Sequence, residues 1–212
     1  MTAAGLLVAL INGLASASTL FLIAAGLSLI FGVTRIVNFA HGSFFMLGIY
    51  VAYSAVTWLG DSGLAFWSGL LLAALLVGVL GAVVEVVLLR RIYRAPELFQ
   101  LLATFALVLV IRDAVLALWG PEDLLGPRAP HLSGAVELLG RAMPSYDLVL
   151  IVIGPLVLLA LWLLLHRTRW GTLVRAATED REMVGALGVN QAWLFTSVFA
   201  LGALLAALGG AL

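Results

Sequence analysis

The chain has 212 residues, 64% of them hydrophobic and 10% charged, with a formal net charge of zero and a mean hydropathy of +1.18. Polar groups are too few to cover a water-soluble fold of this size, and balanced charge without a basic tail excludes a nucleic-acid binder. Cysteine is absent and every one of the eleven basic residues is arginine, which excludes disulfides, thiolate metal sites and the lysine-dependent Walker A loop.

A helix needs about 17 to 25 apolar residues to cross a bilayer core. Runs of this kind fall at 5–33, 38–59, 63–89, 101–118, 148–166 and 194–212, and the alternating ten-residue segments of a membrane barrel are absent. The sequence predicts an all-α integral membrane protein, a polytopic bundle of six spans in a single transmembrane domain over 1–212. No charged stretch and no cleavage site mark the first run as a leader, so it reads as a retained span.

Between the first and second runs lies Asn38-Phe-Ala-His41-Gly42-Ser43, with Gly32 and Gly42 bracketing the polar groups. Glycines beside polar residues let a helix unwind and turn its free backbone groups toward a cavity. The block therefore reads either as an element of a substrate path or as an interfacial loop in which Asn38 caps the second helix. The pattern leaves open whether 32–42 is broken or re-entrant.

The third run ends at Glu85 and Arg90, whose stems can snorkel to the interface. In the fourth, Arg112-Asp113 lies six residues, or about 9 Å, from the outer end, and predicts an orientation anchor or an ion pair with another helix. The 119–147 connection holds four of the six prolines and four of the eleven acids. It reads as a turn-rich extramembrane loop, a connector or a docking surface.

After the fifth run, 167–190 predicts an amphipathic helix capped by Thr172 and ended by Gly188. Leu173, Ala176, Ala177, Met183, Val184 and Leu187 fall in one arc, with Arg175, Glu179 and Glu182 opposite. Asp180 falls inside the apolar arc and needs a partner such as an arginine. The helix either lies on lipid headgroups or docks on another subunit. The last run ends at Ala211-Leu212 without a charged or aromatic flank, so the sequence reads as part of a longer protein.

Arg35, Arg90, Arg91, Arg94, Arg167, Arg169, Arg175 and Arg181 all fall in connections of one side, against Arg128 and Arg141 on the other. The positive-inside rule places the first group in the cytoplasm. No His, Asp or Glu spacing suits a metal.

Two stretches, Gly26 to Gly48 around Asn-Phe-Ala-His-Gly and Arg175-Ala-Ala-Thr-Glu-Asp-Arg-Glu-Met-Val-Gly-Ala-Leu-Gly-Val-Asn190, together resemble the inner-membrane permease subunits of branched-chain amino acid ABC transporters. The resemblance covers essentially the whole chain. It implies an inner-membrane permease that is not itself an enzyme and has no cofactor of its own. It also implies as partners a second, related permease, two cytoplasmic ATPase subunits and a periplasmic solute-binding protein. By the same resemblance Arg175, Ala176, Ala177, Glu179, Asp180, Gly185 and Gly188 belong to the loop that couples ATPase movement to the bundle, and Asn38, His41 and Gly42 to the substrate path. Urea or short amides are the alternative solutes, with sugars more distant. From other classes, an intramembrane enzyme would need His41 to meet Asp113, and a passive channel would conduct without ATP.

Overall fold

In the computed structural model, residues 3–60, 62–122, 124, 126, 129, 132, 134–138 and 141–212 are described. Asp123, Pro127, Arg128 and Pro130 of the 119–147 connection lie outside these residues. The apolar runs form α1 (Ala3–Thr34), α2 (His41–Leu59), α3 (Gly63–Val84), α5 (Glu97–Trp119), α6 (Ser145–Arg167) and α9 (Gln191–Ala211). A π-helical segment (Glu85–Leu89) continues α3 into the single turn α4 (Arg90–Ile92), and two short helices, α7 (Arg169–Glu179) and α8 (Arg181–Ala186), precede α9. With α3 to α4 counted as one, six helices among the described residues are long and apolar enough to cross a membrane.

Local signals explain where several helices start. Ser62 Oγ accepts from Ala65 N ahead of α3, Thr168 Oγ1 from Gly171 N ahead of α7, and Asn190 Oδ1 from Trp193 N ahead of α9. Each satisfies one of the backbone donors that a helix leaves open at its first turn.

The centre of the bundle is α9, which packs against α1, α2 and α3. Its buried face is built from small residues, Gly202, Ala203, Ala206, Ala207 and Gly209, so neighbouring backbones come close, the means by which helices associate where lipid removes the hydrophobic drive. Gly81 meets Ala203 and Gly78 meets Leu204, so α3 runs antiparallel to α9. On the flank, α6 packs on α1 where Gly154 meets Ser18. The outlying helix α5 joins through α2, with Ile111 and Val115 buried and Trp119 Nε1 donating to Ser54 Oγ at 2.7 Å. Leu10, Leu20, Leu64, Leu118 and many other large apolar side chains are exposed, the surface expected of a protein solvated by hydrocarbon.

The arginine-rich connections gather at one end. Arg35 after α1 reaches the carbonyl oxygens of Thr178 and Glu179 on α7, and Arg90 reaches that of Ala192 on α9. At the opposite end β1 (Ala135–Leu138) and β2 (Arg141–Pro144) form an antiparallel hairpin pairing Ala135 with Pro144 and Leu138 with Arg141, a piece of regular structure that turn-forming composition alone did not indicate.

The sequence places the first helix break at glycines. The structure places it elsewhere: α1 runs through Gly32 to Thr34, and the break is at Arg35, which has φ 56°. Residues 35–40 then run back along α1, because His41 at the start of α2 touches the carbonyl of Ile23, eleven residues or about 16 Å before the end of α1. The second span thus begins at His41 rather than at 38, and 35–40 is a re-entrant, non-helical segment. Non-helical backbone at this depth is tolerated where protein covers it: one side of the segment, Ile36, Asn38 and Ala40, is buried, while Val37 and Phe39 face outward.

Candidate functional site

The first site is the start of α2. Ala40 stands at the position before the helix and supplies no side-chain cap. Asn38 does not cap it either. Its Oδ1 accepts from Ala40 N at 3.1 Å, within the turn itself. The Asn38 amide Nδ2 is buried and has no hydrogen-bond partner. His41 is buried as well, with Nε2 3.0 Å from the Ile23 carbonyl oxygen. A carbonyl only accepts, so Nε2 carries the proton and, in the neutral ring, Nδ1 is left with a lone pair. That Nδ1 is also buried without a partner.

A donor and an acceptor therefore stand unsatisfied at a helix N-terminus deep inside the bundle. Leaving a buried polar group unpaired costs about 1–3 kcal/mol, and such groups mark places where something else binds. Gly42, the third residue of this group, faces outward, and a Cβ there would meet nothing within 4 Å. The glycine that the local packing requires is Gly26, whose Cβ would meet both the Gly202 carbonyl oxygen and the His41 ring.

The second site is the arginine-rich elbow of α7 and α8. The expected single helix from Thr172 to Gly188 is two helices, broken at Asp180, which has extended backbone (φ −145°, ψ 95°). Thr168, not Thr172, caps the first. Asp180 caps the second, its Oδ1 accepting from Glu182 N and Met183 N at 3.0 Å each. Asp180 is thus exposed and satisfied by backbone donors rather than by an arginine. Replacing it with alanine should remove about 1 kcal/mol of helix stability, read as faster amide exchange confined to 181–186.

The apolar arc is divided between two surfaces. Val174, Ala177 and Val184 are buried against Leu194, Phe195 and Val198 of α9, whereas Met183 is 58% and Leu187 75% exposed. Arg175 and Glu179 are exposed as well, and Ala176 is half-buried. The two glycines have distinct reasons. Gly188 has φ 83°, a left-handed conformation open to glycine at little cost. Gly185 is covered by the Gln191 side chain, whose Nε2 donates to the Arg181 carbonyl at 2.5 Å.

Arg35 joins the two sites, a role the sequence did not indicate. Its guanidinium donates to the carbonyl oxygens of Thr178 and Glu179 at 3.3 and 3.4 Å, satisfying acceptors at the C-terminal end of α7. The left-handed backbone that ends α1 is carried by the same residue, so one side chain ties the elbow to the re-entrant segment.

A third cluster was legible only as snorkelling charges. Glu85 is fully buried, and its carboxylate accepts from Arg90 Nη2 at 3.1 Å, Tyr93 Oη at 2.9 Å and Thr196 Oγ1 at 2.5 Å. Burial, then the adjacent Glu85 charge, holds the Tyr93 phenol above its ordinary range, so it stays a donor. Arg112 and Asp113 are exposed on α5, and among the described residues neither has an ion-pair partner. Asp113 does not approach His41, whose ring bonds Ile23, so the acid-base pair of an enzyme is not assembled. No group of His, Asp or Glu among the described residues could hold a metal ion.

Six helices long and apolar enough to cross a membrane, around a re-entrant polar segment and with an arginine-rich elbow at one end, define a multi-pass membrane protein. Residues 9–212 match the family described as "Branched-chain amino acid transport system / permease component", and the chain belongs to that family. It is 29% identical to the high-affinity branched-chain amino acid transport system permease protein BraD of Pseudomonas aeruginosa over 96% of this chain and 69% of the relative. To LivH of Escherichia coli, a permease protein of the same description, it is 28% identical over 95% of the chain and 68% of the relative. To the fructose import permease protein FrcC of Rhizobium meliloti it is 27% identical over 96% of the chain and 52% of the relative. No solved structure matches the chain. The protein is a multi-pass protein of the inner membrane, of a transport family and not a known enzyme family.

Proposed function

We propose that this chain is the membrane-spanning permease subunit of an ATP-driven importer that carries branched-chain amino acids inward. The observation that carries this reading is the family match over 9–212 together with relatives named for branched-chain amino acid transport. ATP is hydrolysed on separate cytoplasmic subunits that grip the exposed elbow around Glu179, Asp180, Met183 and Leu187. A solute-binding protein delivers cargo at the opposite face, and a second permease completes the path.

The start of α2 suits an α-amino acid. Asn38 Nδ2 is a free donor for the carboxylate, which the N-terminal end of a helix also favours, and His41 Nδ1 is a free acceptor for the ammonium. Both groups are buried while α1 and α9 are closed beside them, so the solute reaches them only when that seam parts. Movement of the elbow, transmitted through Arg35, opens it.

The test is the full-length permease assembled in lipid with the ATPase subunits and binding protein encoded beside it. ATPase activity is measured with leucine, isoleucine, valine, urea and fructose. Stimulation by the first three supports the reading. Stimulation by fructose alone transfers the site to the sugar branch, to which the FrcC relative belongs by name. Solute flux without ATP would instead identify a channel. His41→Ala and Asn38→Ala each remove one hydrogen bond to a charged group and should raise the half-stimulating solute concentration roughly 10- to 100-fold, with ATPase association unchanged.

A further inference from the structure

We propose that the arginine-rich end of the α3–α9 seam is a binding site for an anionic phospholipid, with its phosphate among Arg91, Arg94 and Arg181 and an acyl chain in the groove above. Two cavities share these helices. The first, of about 570 Å³, is lined by Arg90, Arg91, Arg94 and Arg181, with Tyr93 and Phe195 as its apolar walls. The second, of about 640 Å³, is lined by Val79, Val83, Val87, Ala200 and Leu204 among other wholly apolar side chains.

The charge of the first cavity is unspent. Arg90 is neutralised by Glu85, whereas no described residue bonds the guanidinium groups of Arg91, Arg94 or Arg181, and Glu182 is the other acid at the rim. The remaining arginines exceed the acid by two.

The second cavity lies directly along the chain from the first. Ala192, Thr196, Ala200 and Leu204 are four residues apart and share one face of α9, with Ala192 in the basic cavity and Ala200 and Leu204 in the apolar one. On the other wall Val83 and Val87 lead to Arg91 and Arg94. The change from apolar to basic lining comes between Val87 and Arg90 on one wall and between Ala200 and Phe195 on the other, close to the ends of the two spans at Ile92 and Gln191, the depth of a headgroup. Phosphate at that level between basic residues, with hydrocarbon beyond it, is the chemistry of an acidic lipid. An acidic face of a protein partner would fit the arginines but not the groove.

The chain is purified in detergent, offered equal amounts of phosphatidylglycerol and phosphatidylcholine of the same acyl chains, and the retained lipid is counted by native mass spectrometry. Phosphatidylglycerol should be retained about tenfold over phosphatidylcholine, and R91Q/R94Q/R181Q should bring the ratio near one. R167Q, at the end of α6, should keep the preference. V79W, which fills the groove from an exposed position, should lower retention of both lipids alike. Equal retention by the unmodified chain overturns the proposal. So does displacement of phosphatidylglycerol by sn-glycerol 3-phosphate, which would make this a site for free phosphate. A triple variant that keeps its lipid preference but loses an ATPase subunit overturns it in favour of a protein contact.

Discussion

Gly202→Val is expected to abolish the folded bundle. A Cβ at Gly202 would lie 2.5 Å from Ile30 Cγ1 and 2.7 Å from the Gly26 carbonyl oxygen, and one at Gly26 would lie 2.5 Å from the Gly202 carbonyl oxygen. The Ile30 side chain, buried and branched at Cβ, can yield only slightly. The carbonyl cannot, because it belongs to a hydrogen-bonded turn of α1, so the two helices must separate. Overpacking usually costs about 1–3 kcal/mol, more where backbone must move, and here it falls on the central helix. The measurement is monodisperse yield and thermal midpoint after extraction in mild detergent. Gly13→Ala serves as the comparison, since a Cβ there meets nothing within 4 Å and alanine favours a helix over glycine by about 1 kcal/mol. If Gly202→Val folded with an unchanged midpoint, the close α1–α9 approach would be wrong.

The six spans were legible because hydrocarbon imposes a length and a composition that few other structures share. The small residues of the last span, Gly202, Ala203, Ala206, Ala207 and Gly209, stand in the sequence, but which partner each glycine meets does not. The polar block at 38–43 announced itself by its expense. Its form did not, because the sequence marks Gly32 and Gly42 as the flexible points and the backbone turns at Arg35 instead. An arginine with positive φ is unfavourable by local rules. It is held here by two bonds to α7, 143 and 144 residues away, and no local pattern reports such a contact. The elbow was misread for a related reason: the 3.6-residue period runs through Asp180 and hides the break. An Asp followed by Glu182 and Met183 is also a helix start signal, and it was the better guide.

Glu85→Ala should be among the most destabilising single changes outside the glycine seam. In an α-helix residues five apart point to different faces, so Glu85 and Arg90 read as two separate interfacial charges. The π-helical turn at 85–89 changes that, because its wider winding brings i and i+5 into register, and the pair closes at 3.1 Å. Truncation would leave Arg90, the Tyr93 hydroxyl and the Thr196 hydroxyl without their shared acceptor. Breaking a buried pair typically costs about 3–5 kcal/mol. The Arg90 side chain is 37% exposed and can turn to water, so the loss should sit near the lower end, about 3 kcal/mol. Glu85→Gln keeps an acceptor and the shape, and should lose about half as much. The change also reaches the elbow: Tyr93 stacks edge-on against Phe195 with ring centres 5.4 Å apart, and Phe195 packs with Val174 and Val184. Thermal unfolding in lipid nanodiscs checks the stability. A double-mutant cycle with Arg90→Ala should show strong coupling, and additive losses would mean that the π turn persists for backbone reasons alone. In the importer proposed above Glu85→Ala should uncouple as well as destabilise, so that basal ATP hydrolysis is unchanged while solute stimulation falls, because α9, against which the elbow packs, is no longer held to the end of α3.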